Sequence, residues 1–268
     1  MPKAQIVMLG TRGSIPVDGP GFARYGGAST SVLLRIGGET IIFDAGTGIM
    51  SAMDYLGDDK KINVFLSHPH VDHIQGLAMF PPMFDDDYTV DVYADTHMGY
   101  NTKQQIELFM REPIWPCNTD VFQPFVTLHK LPGRSLILGD VLVEWMEGNH
   151  PGGCTIFRVS FEDIVIVYCT DFEHGGKHTQ RLEKFAAGCD LLIYDAQYSP
   201  EEYNKRQGFG HSTWDEGGAI GIACGAKRVL LTHHAPDRLD MEIDIIQEKL
   251  QIQFPTCAFA KCREEVYL

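Results

Sequence analysis

The 268-residue sequence predicts an α+β fold in which two sheets carry helices on their outer sides. Three observations lead there. Apolar runs of strand length recur through both halves of the chain, and helical patterns fall between or after them. No repeat period or low-complexity linker divides the sequence. The length suits one large sheet-based domain over residues 1–268 with a substantial core.

In order, the strand-like runs are QIVML (5–9), SVLLRI (31–36), TIIFD (40–44), NVFLS (63–67) and VDVYA (90–94). In the second half they are VLVEWME (141–147), IFRVSF (156–161), IVIVYC (164–169), LLIYD (191–195) and VLLT (229–232). Helical patterns cover 49–56, 73–79, 102–110, 179–187, 214–224 and 241–250. Residues 81–132 differ in texture, with three successive aspartates, several prolines and aromatics throughout. This stretch reads as an insertion, either a lid or a dimer surface that would make the protein a homodimer.

Composition excludes several function classes. Hydrophobic residues make up 44% and charged residues 22%, ordinary for a soluble globular chain. The net charge of −14 repels a polyanion at long range and argues against broad nucleic-acid binding. No segment approaches the roughly 20 apolar residues of a membrane helix, and the N-terminus lacks a signal-peptide pattern, so a cytoplasmic protein is expected. The seven cysteines contain no C-x-x-C pair, which argues against a disulfide scaffold or a cysteine zinc site.

The densest chemistry lies in SHPHVDHIQG, where His68, His70, Asp72 and His73 follow the apolar run that ends at Leu66. Loops at the ends of sheet strands commonly carry function. Alternation with Pro69 sends His68 and His70 the same way from an extended segment, whereas Asp72 and His73 begin a helix. Two ligand pairs thus diverge from one turn. Imidazole and carboxylate suit zinc, with manganese and iron as chemical neighbours. Further candidates follow other strands: Asp44 in IIFDAGTG, His150 in GNHPGG, Asp171 in YCTDFEH and His233 in LLTHHAP.

This set, HPHVDH with Asp44, His150, Asp171 and His233 in order, resembles the metallo-β-lactamase superfamily, in particular the phosphodiesterase branch that includes ribonuclease Z. The resemblance covers most of the chain. It implies a four-layer αβ/βα sandwich with two divalent metals, zinc foremost, at the sheet edge. It also implies that His68, His70 and His150 bind one ion, that Asp72, His73 and His233 bind the other, and that Asp171 bridges them. Asp44 would orient a ligand histidine, since such partners fix the tautomer of a metal-bound ring.

GFGHSTWDEGG selects the branch, because it resembles the G-H-S-T segment of ribonuclease-Z-type enzymes. There the histidine sits beside the substrate phosphate, which makes His211 the expected general acid or phosphate contact. Ser212 and Thr213 also suit a helix cap, a purely structural reason for the motif. Asp195 in LIYDAQY would hold His211 in its reactive tautomer. His211, Asp72 and Asp195 are therefore the candidate catalytic residues.

The interval that carries a transfer-RNA arm in those ribonucleases is filled here by the runs 156–161 and 164–169. With the acidic charge, this favours a small or cyclic phosphodiester as substrate and makes transfer RNA an unexpected partner. The alternatives are thioester or lactone hydrolysis of the glyoxalase II or lactonase type, and ribonuclease-Z-like RNA processing. Arg12 in GTRGS is a candidate phosphate contact, His174 and His234 are candidate substrate contacts, and His97, His129 and His178 are expected on the surface.

Overall fold

A computed structural model describes residues 2–268. The first part of the chain forms β1 (Ala4–Gly10), β2 (Ser31–Ile36), β3 (Glu39–Phe43), β4 (Lys61–Leu66), β5 (Thr89–Ala94) and β6 (Val126–Lys130). It continues with β7 (Ser135–Leu138), β8 (Val141–Gly148), β9 (Cys154–Phe161), β10 (Ile164–Cys169), β11 (Leu191–Asp195) and β12 (Arg228–Thr232). Two short strands end it, β13 (Cys257–Phe259) and β14 (Glu265–Tyr267). They form two seven-stranded sheets, ordered β14-β1-β2-β3-β4-β5-β6 and β13-β12-β11-β10-β9-β8-β7. The α-helices are α1 (Met53–Leu56), α2 (Val71–Ile74), α3 (Thr102–Glu107), α4 (Gly176–Phe185), α5 (Pro200–Tyr203), α6 (Trp214–Cys224) and α7 (Asp240–Gln253).

Each sheet combines an antiparallel part with a parallel part. Strands β1 to β3 and β7 to β10 pair antiparallel, whereas β3 to β6 and β10 to β13 pair parallel. Parallel neighbours require crossovers, which is where helices fall. The same pairing directions make β1, β3, β4, β8, β10, β11 and β12 end on shared sheet edges, where ligands of parallel sheets usually collect.

Burial explains the long apolar runs. In β10, Ile164, Ile166 and Tyr168 face the core between the sheets, while Val167 and Cys169 face the helices. A strand covered on both faces reads as continuously apolar. Phe43, Phe65, Phe157 and Tyr168 join the two sheets at the centre, with ring centroids 4.9–6.1 Å apart. Among the described residues, no helix is long and apolar enough to cross a membrane.

The structure revises several sequence expectations. Residues 81–132 contribute β5 and β6, which extend the first sheet in parallel from β4, so part of this stretch belongs to the sheet itself. The 49–56 helix begins as a 3₁₀ turn, Thr47–Ala52, pressed so closely on β1 that a Cβ at Gly48 would lie 2.6 Å from the Gly10 nitrogen. The 73–79 helix starts earlier, at Val71, and tightens to 3₁₀ over Gln75–Ala78, where the Gly76 N–H donates outward to the Ala45 carbonyl. Strands β6, β7, β13 and β14 were not foreseen. They are short, or partly exposed edge segments with little apolar pattern.

Candidate metal centre

The site grows from the ends of strands in both sheets. After β4, Ser67 and His68 continue the strand direction, and His70, in extended conformation, precedes the first turn of α2, which carries Asp72 and His73. His150 follows β8 in a turn closed by the Gly153 N–H donating to its carbonyl at 2.9 Å. Asp171 follows β10 and His233 follows β12. Four site residues, Ser14, Asp44, Asp171 and His233, have φ of 63°, 56°, 52° and 62°. Non-glycine residues rarely adopt this region, which costs about 1–3 kcal/mol each and tends to collect at functional sites.

The side chains meet in two groups that share Asp171. In the first, His70 Nδ1 lies 2.8 Å from His68 Nε2 and 3.1 Å from His150 Nε2. Asp171 Oδ1 stands 3.8 Å from both Nε2 atoms. In the second, Asp72 Oδ2 lies 3.2 Å from His73 Nε2 and 3.3 Å from His233 Nε2. Asp171 Oδ2 is 3.1 Å from each of the same nitrogens. Ligands at 2.0–2.1 Å from a tetrahedral ion are separated by about 3.4 Å, so both groups have the scale of a first coordination sphere.

The polar chemistry also fits metal ions. His73 Nε2 is fully buried and has no hydrogen-bond partner among the described residues. Burial lowers the imidazolium of His68 well below its ordinary range, and His73 adds to this. Partial burial and His150 lower His70 to about 4, and burial also lowers His150. These three rings are therefore neutral near pH 7, as metal ligands must be. In the second group, burial opposes charge on His73 and His233, but the surrounding carboxylates outweigh it. His73 is raised well above its ordinary range by Asp171, Asp72 and Asp44, and His233 to about 9, chiefly by Asp171. Burial likewise opposes ionisation of Asp72, yet His73 and His233 hold it well below the carboxylate range. Such a cluster favours positive charge, which a divalent ion would supply in place of the two ring protons.

Asp44 supports this centre from beneath. Its Oδ2 lies 2.9 Å from His73 Nδ1 and accepts hydrogen bonds from Ser67 Oγ at 2.8 Å and Tyr168 Oη at 2.7 Å. Its Oδ1 accepts the Ser67 N–H at 2.7 Å. Tyr168 reaches across from the second sheet. Asp195 acts similarly on the other side: Oδ2 lies 2.9 Å from His211 Nδ1 and accepts the Asp171 N–H at 2.9 Å. With Oδ2 so engaged, Asp195 fits an orienting role better than a ligand role, although it also lies close enough to Asp171, His211 and His233 to group with them. The His211 ring stacks on His233 at 4.9 Å, and among the described residues its Nε2 makes no hydrogen bond. Thr213 caps α6 while Ser212 Oγ pairs with Tyr194 Oη at 2.7 Å, so the G-H-S-T segment has a structural role as well.

Two expected contacts are placed elsewhere. Arg12 is fully buried and donates to the carbonyls of Gly26, Ala235 and Arg238, so it ties loops together and does not meet a phosphate. His234 is also fully buried, with Nε2 2.8 Å from the Ala260 carbonyl, and packs on Tyr25 and Phe259 away from the ligand groups. His174 packs on Tyr203 and pairs through Nδ1 with Ser212 Oγ at 2.8 Å, one residue from His211. His97, expected on the surface, is buried, with Nε2 3.2 Å from Thr155 Oγ1. His129 is half-buried against Tyr93 and pairs with Asp91, and His178 is also only partly exposed.

Sequence reasoning missed Ser14, whose N–H donates to Asp72 Oδ2 at 2.7 Å, and Ser67, Tyr168 and Glu173. Ser67 and Glu173 stand inside the quoted motifs SHPHVDH and TDFEH, which was the available signal.

Comparison with known proteins agrees with this geometry. A profile of the beta-lactamase superfamily domain matches residues 39–234. The ribonuclease Z of Methanothermobacter thermautotrophicus is 23% identical over 286 residues, 85% of this chain and 86% of that protein. The metallo-beta-lactamase fold protein YhfI from Bacillus subtilis superposes with a TM-score of 0.75 at 18% identity, covering 99% of both chains. A diphosphatase from the PhnP family superposes with a TM-score of 0.71 at 20% identity, covering 99% of this chain and 97% of that one. These likenesses do not support the expectation that transfer RNA is an unsuited partner, because the curated relative bears the name ribonuclease Z.

Proposed function

The chain belongs to the beta-lactamase superfamily, with the metallo-β-lactamase fold and hydrolase character that go with it, and we propose that it is a two-metal phosphodiesterase for small or cyclic phosphodiesters. His68, His70 and His150 would hold one ion, Asp72, His73 and His233 the other, and Asp171 would bridge them. Zinc suits this nitrogen-rich donor set best. Two such ions, when bound, supply Lewis acidity toward phosphoryl oxygens and a nucleophile at neutral pH.

The observation that carries the phosphodiester reading is His211. Its Nδ1 is held by Asp195, Nε2 makes no hydrogen bond among the described residues, and the ring stacks on a proposed metal ligand. A protonated ring in that position can give its Nε2 proton to a departing alkoxide, with Asp195 stabilising the imidazolium. A thioester has a good leaving group and needs such an acid much less. The hairpin of β9 and β10, which occupies the interval between His150 and Asp171, supports a small substrate. The ribonuclease Z relative, matched over 86% of its length, favours a second reading, cleavage of RNA phosphodiesters.

A substrate panel separates these readings. Zinc-loaded protein should hydrolyse bis-p-nitrophenyl phosphate and at least one cyclic nucleotide. Efficient cleavage of precursor transfer RNA at its 3′ side would replace the small-substrate reading with the RNA one. Turnover confined to a thioester or lactone would overturn both.

A further inference from the structure

Glu173, two residues beyond Asp171, is a buried carboxylate that pairs with no lysine or arginine among the described residues. Its Oε1 accepts the Gly208 N–H at 2.7 Å and its Oε2 accepts the Gly210 N–H at 2.9 Å. Tyr203 Oη donates to Oε1 at 3.3 Å. The carboxylate thus grips both ends of the tripeptide Gly208-Phe209-Gly210.

That tripeptide holds His150. The Gly210 carbonyl lies 2.8 Å from His150 Nδ1, so it accepts the ring proton and leaves the Nε2 lone pair directed toward His70 and Asp171. Gly210 has φ 89°, and a Cβ there would stand 2.1 Å from His150 Nδ1, so the close approach requires glycine. The Glu173 backbone also grips the residue before His150: its N–H donates to the Asn149 carbonyl at 2.8 Å, and Asn149 Nδ2 donates to the Glu173 carbonyl at 2.9 Å. One residue therefore fastens His150 from its chain side and from its ring side.

We propose that Glu173 is a positioning residue that fixes the tautomer and direction of His150, and through it the affinity of the ion held by His68, His70 and His150. The inference rests on the ligand assignment made above. A carboxylate suits this task because it offers an acceptor to each N–H, whereas glutamine has one acceptor oxygen and would turn its NH₂ against the second N–H. Burying an uncompensated carboxylate is costly unless its hydrogen bonds are made, so the grip is rigid.

The test titrates zinc into metal-free full-length protein against a chromophoric chelator, with chemical denaturation measured in parallel. Wild type should show two binding constants. Glu173→Gln should weaken one of them by ~10–100-fold, the usual effect of losing an orienting partner, and leave the other unchanged. Gly210→Ala keeps the carboxylate but drives a methyl group at His150, and should weaken the same constant. Combined with His70→Ala, which removes that ion by itself, Glu173→Gln should cause no further loss. Two unchanged constants in Glu173→Gln, or two that fall together with stability, overturn the proposal. If Glu173→Gln does not fold, unchanged constants in Gly210→Ala overturn it instead. A wild type with fewer than two ions sinks the ligand assignment itself, and the clamp with it.

Discussion

The two sheets furnish the proposed centre in different ways. The first provides His68, His70, Asp72 and His73 from one turn between β4 and α2, where local backbone geometry sets every ligand. The second provides His150, Asp171 and His233 from the separate ends of β8, β10 and β12. Those three meet only because β10, β11 and β12 pair in parallel and β8 runs the same way. A compact motif can thus be read from sequence, whereas a dispersed one depends on the whole sheet and on residues that brace it.

The largest expected effect tests how the two ligand groups, each drawn from both sheets, are joined. Asp171 approaches both ligand groups, through Oδ1 on one side and Oδ2 on the other. Asp171→Asn should therefore abolish turnover and lower the content of both ions, measured by elemental analysis. His70→Ala should also abolish turnover, by more than the ~10²-fold expected for loss of an orienting partner, but retain one ion. Two ions kept in Asp171→Asn would show that the two ligand groups bind metal independently of the shared carboxylate.

Next in size is His211→Ala, which belongs wholly to the second half. An alkoxide leaves poorly without a proton, whereas p-nitrophenolate leaves well, and a positioned acid is typically worth ~10²–10⁴ in rate. Hydrolysis of a cyclic or alkyl diester should fall by that factor, with a much smaller loss on bis-p-nitrophenyl phosphate and an unchanged metal content. Equal losses with metal retained would make His211 a phosphate-binding group, and loss of metal would make it a ligand.

What could be read in advance follows the same division. The strands of the core were legible because residues such as Ile164, Ile166 and Val167 are covered on both faces. The HPHVDH turn was legible because its ligand-type residues stand within six positions. Arg12 was misread because a cation beside glycines looks the same in sequence whether it faces a phosphate or backbone carbonyls; three carbonyls from distant loops decide the matter. Ser14 contributes a backbone N–H, which any residue except proline carries, so its role left no signal. Glu173 acts through a tripeptide 35 positions or more away, a pairing that only the fold creates.

The smallest effect tests whether the two halves influence one another across the core. Tyr168 on β10 donates to Asp44 Oδ2 at 2.7 Å, and that same oxygen lies 2.9 Å from His73 Nδ1. The bond therefore links a strand of the second sheet to a ligand of the first. Tyr168→Phe keeps the ring stacked on Phe43 at 4.9 Å and removes only the hydroxyl. A hydrogen bond to a charged acceptor contributes about 1.5–3 kcal/mol, and Asp44 keeps its bonds to Ser67 and His73, so the loss should fall at the lower end. Denaturant titration should show a decrease of about 1.5 kcal/mol with an unchanged slope. Because His73 Nδ1 retains Asp44, zinc affinity should drop by less than the ~10–100-fold expected for losing the partner outright. A larger drop, confined to the ion held by Asp72, His73 and His233, would show that the second sheet tunes a ligand on the first as well as carrying its own.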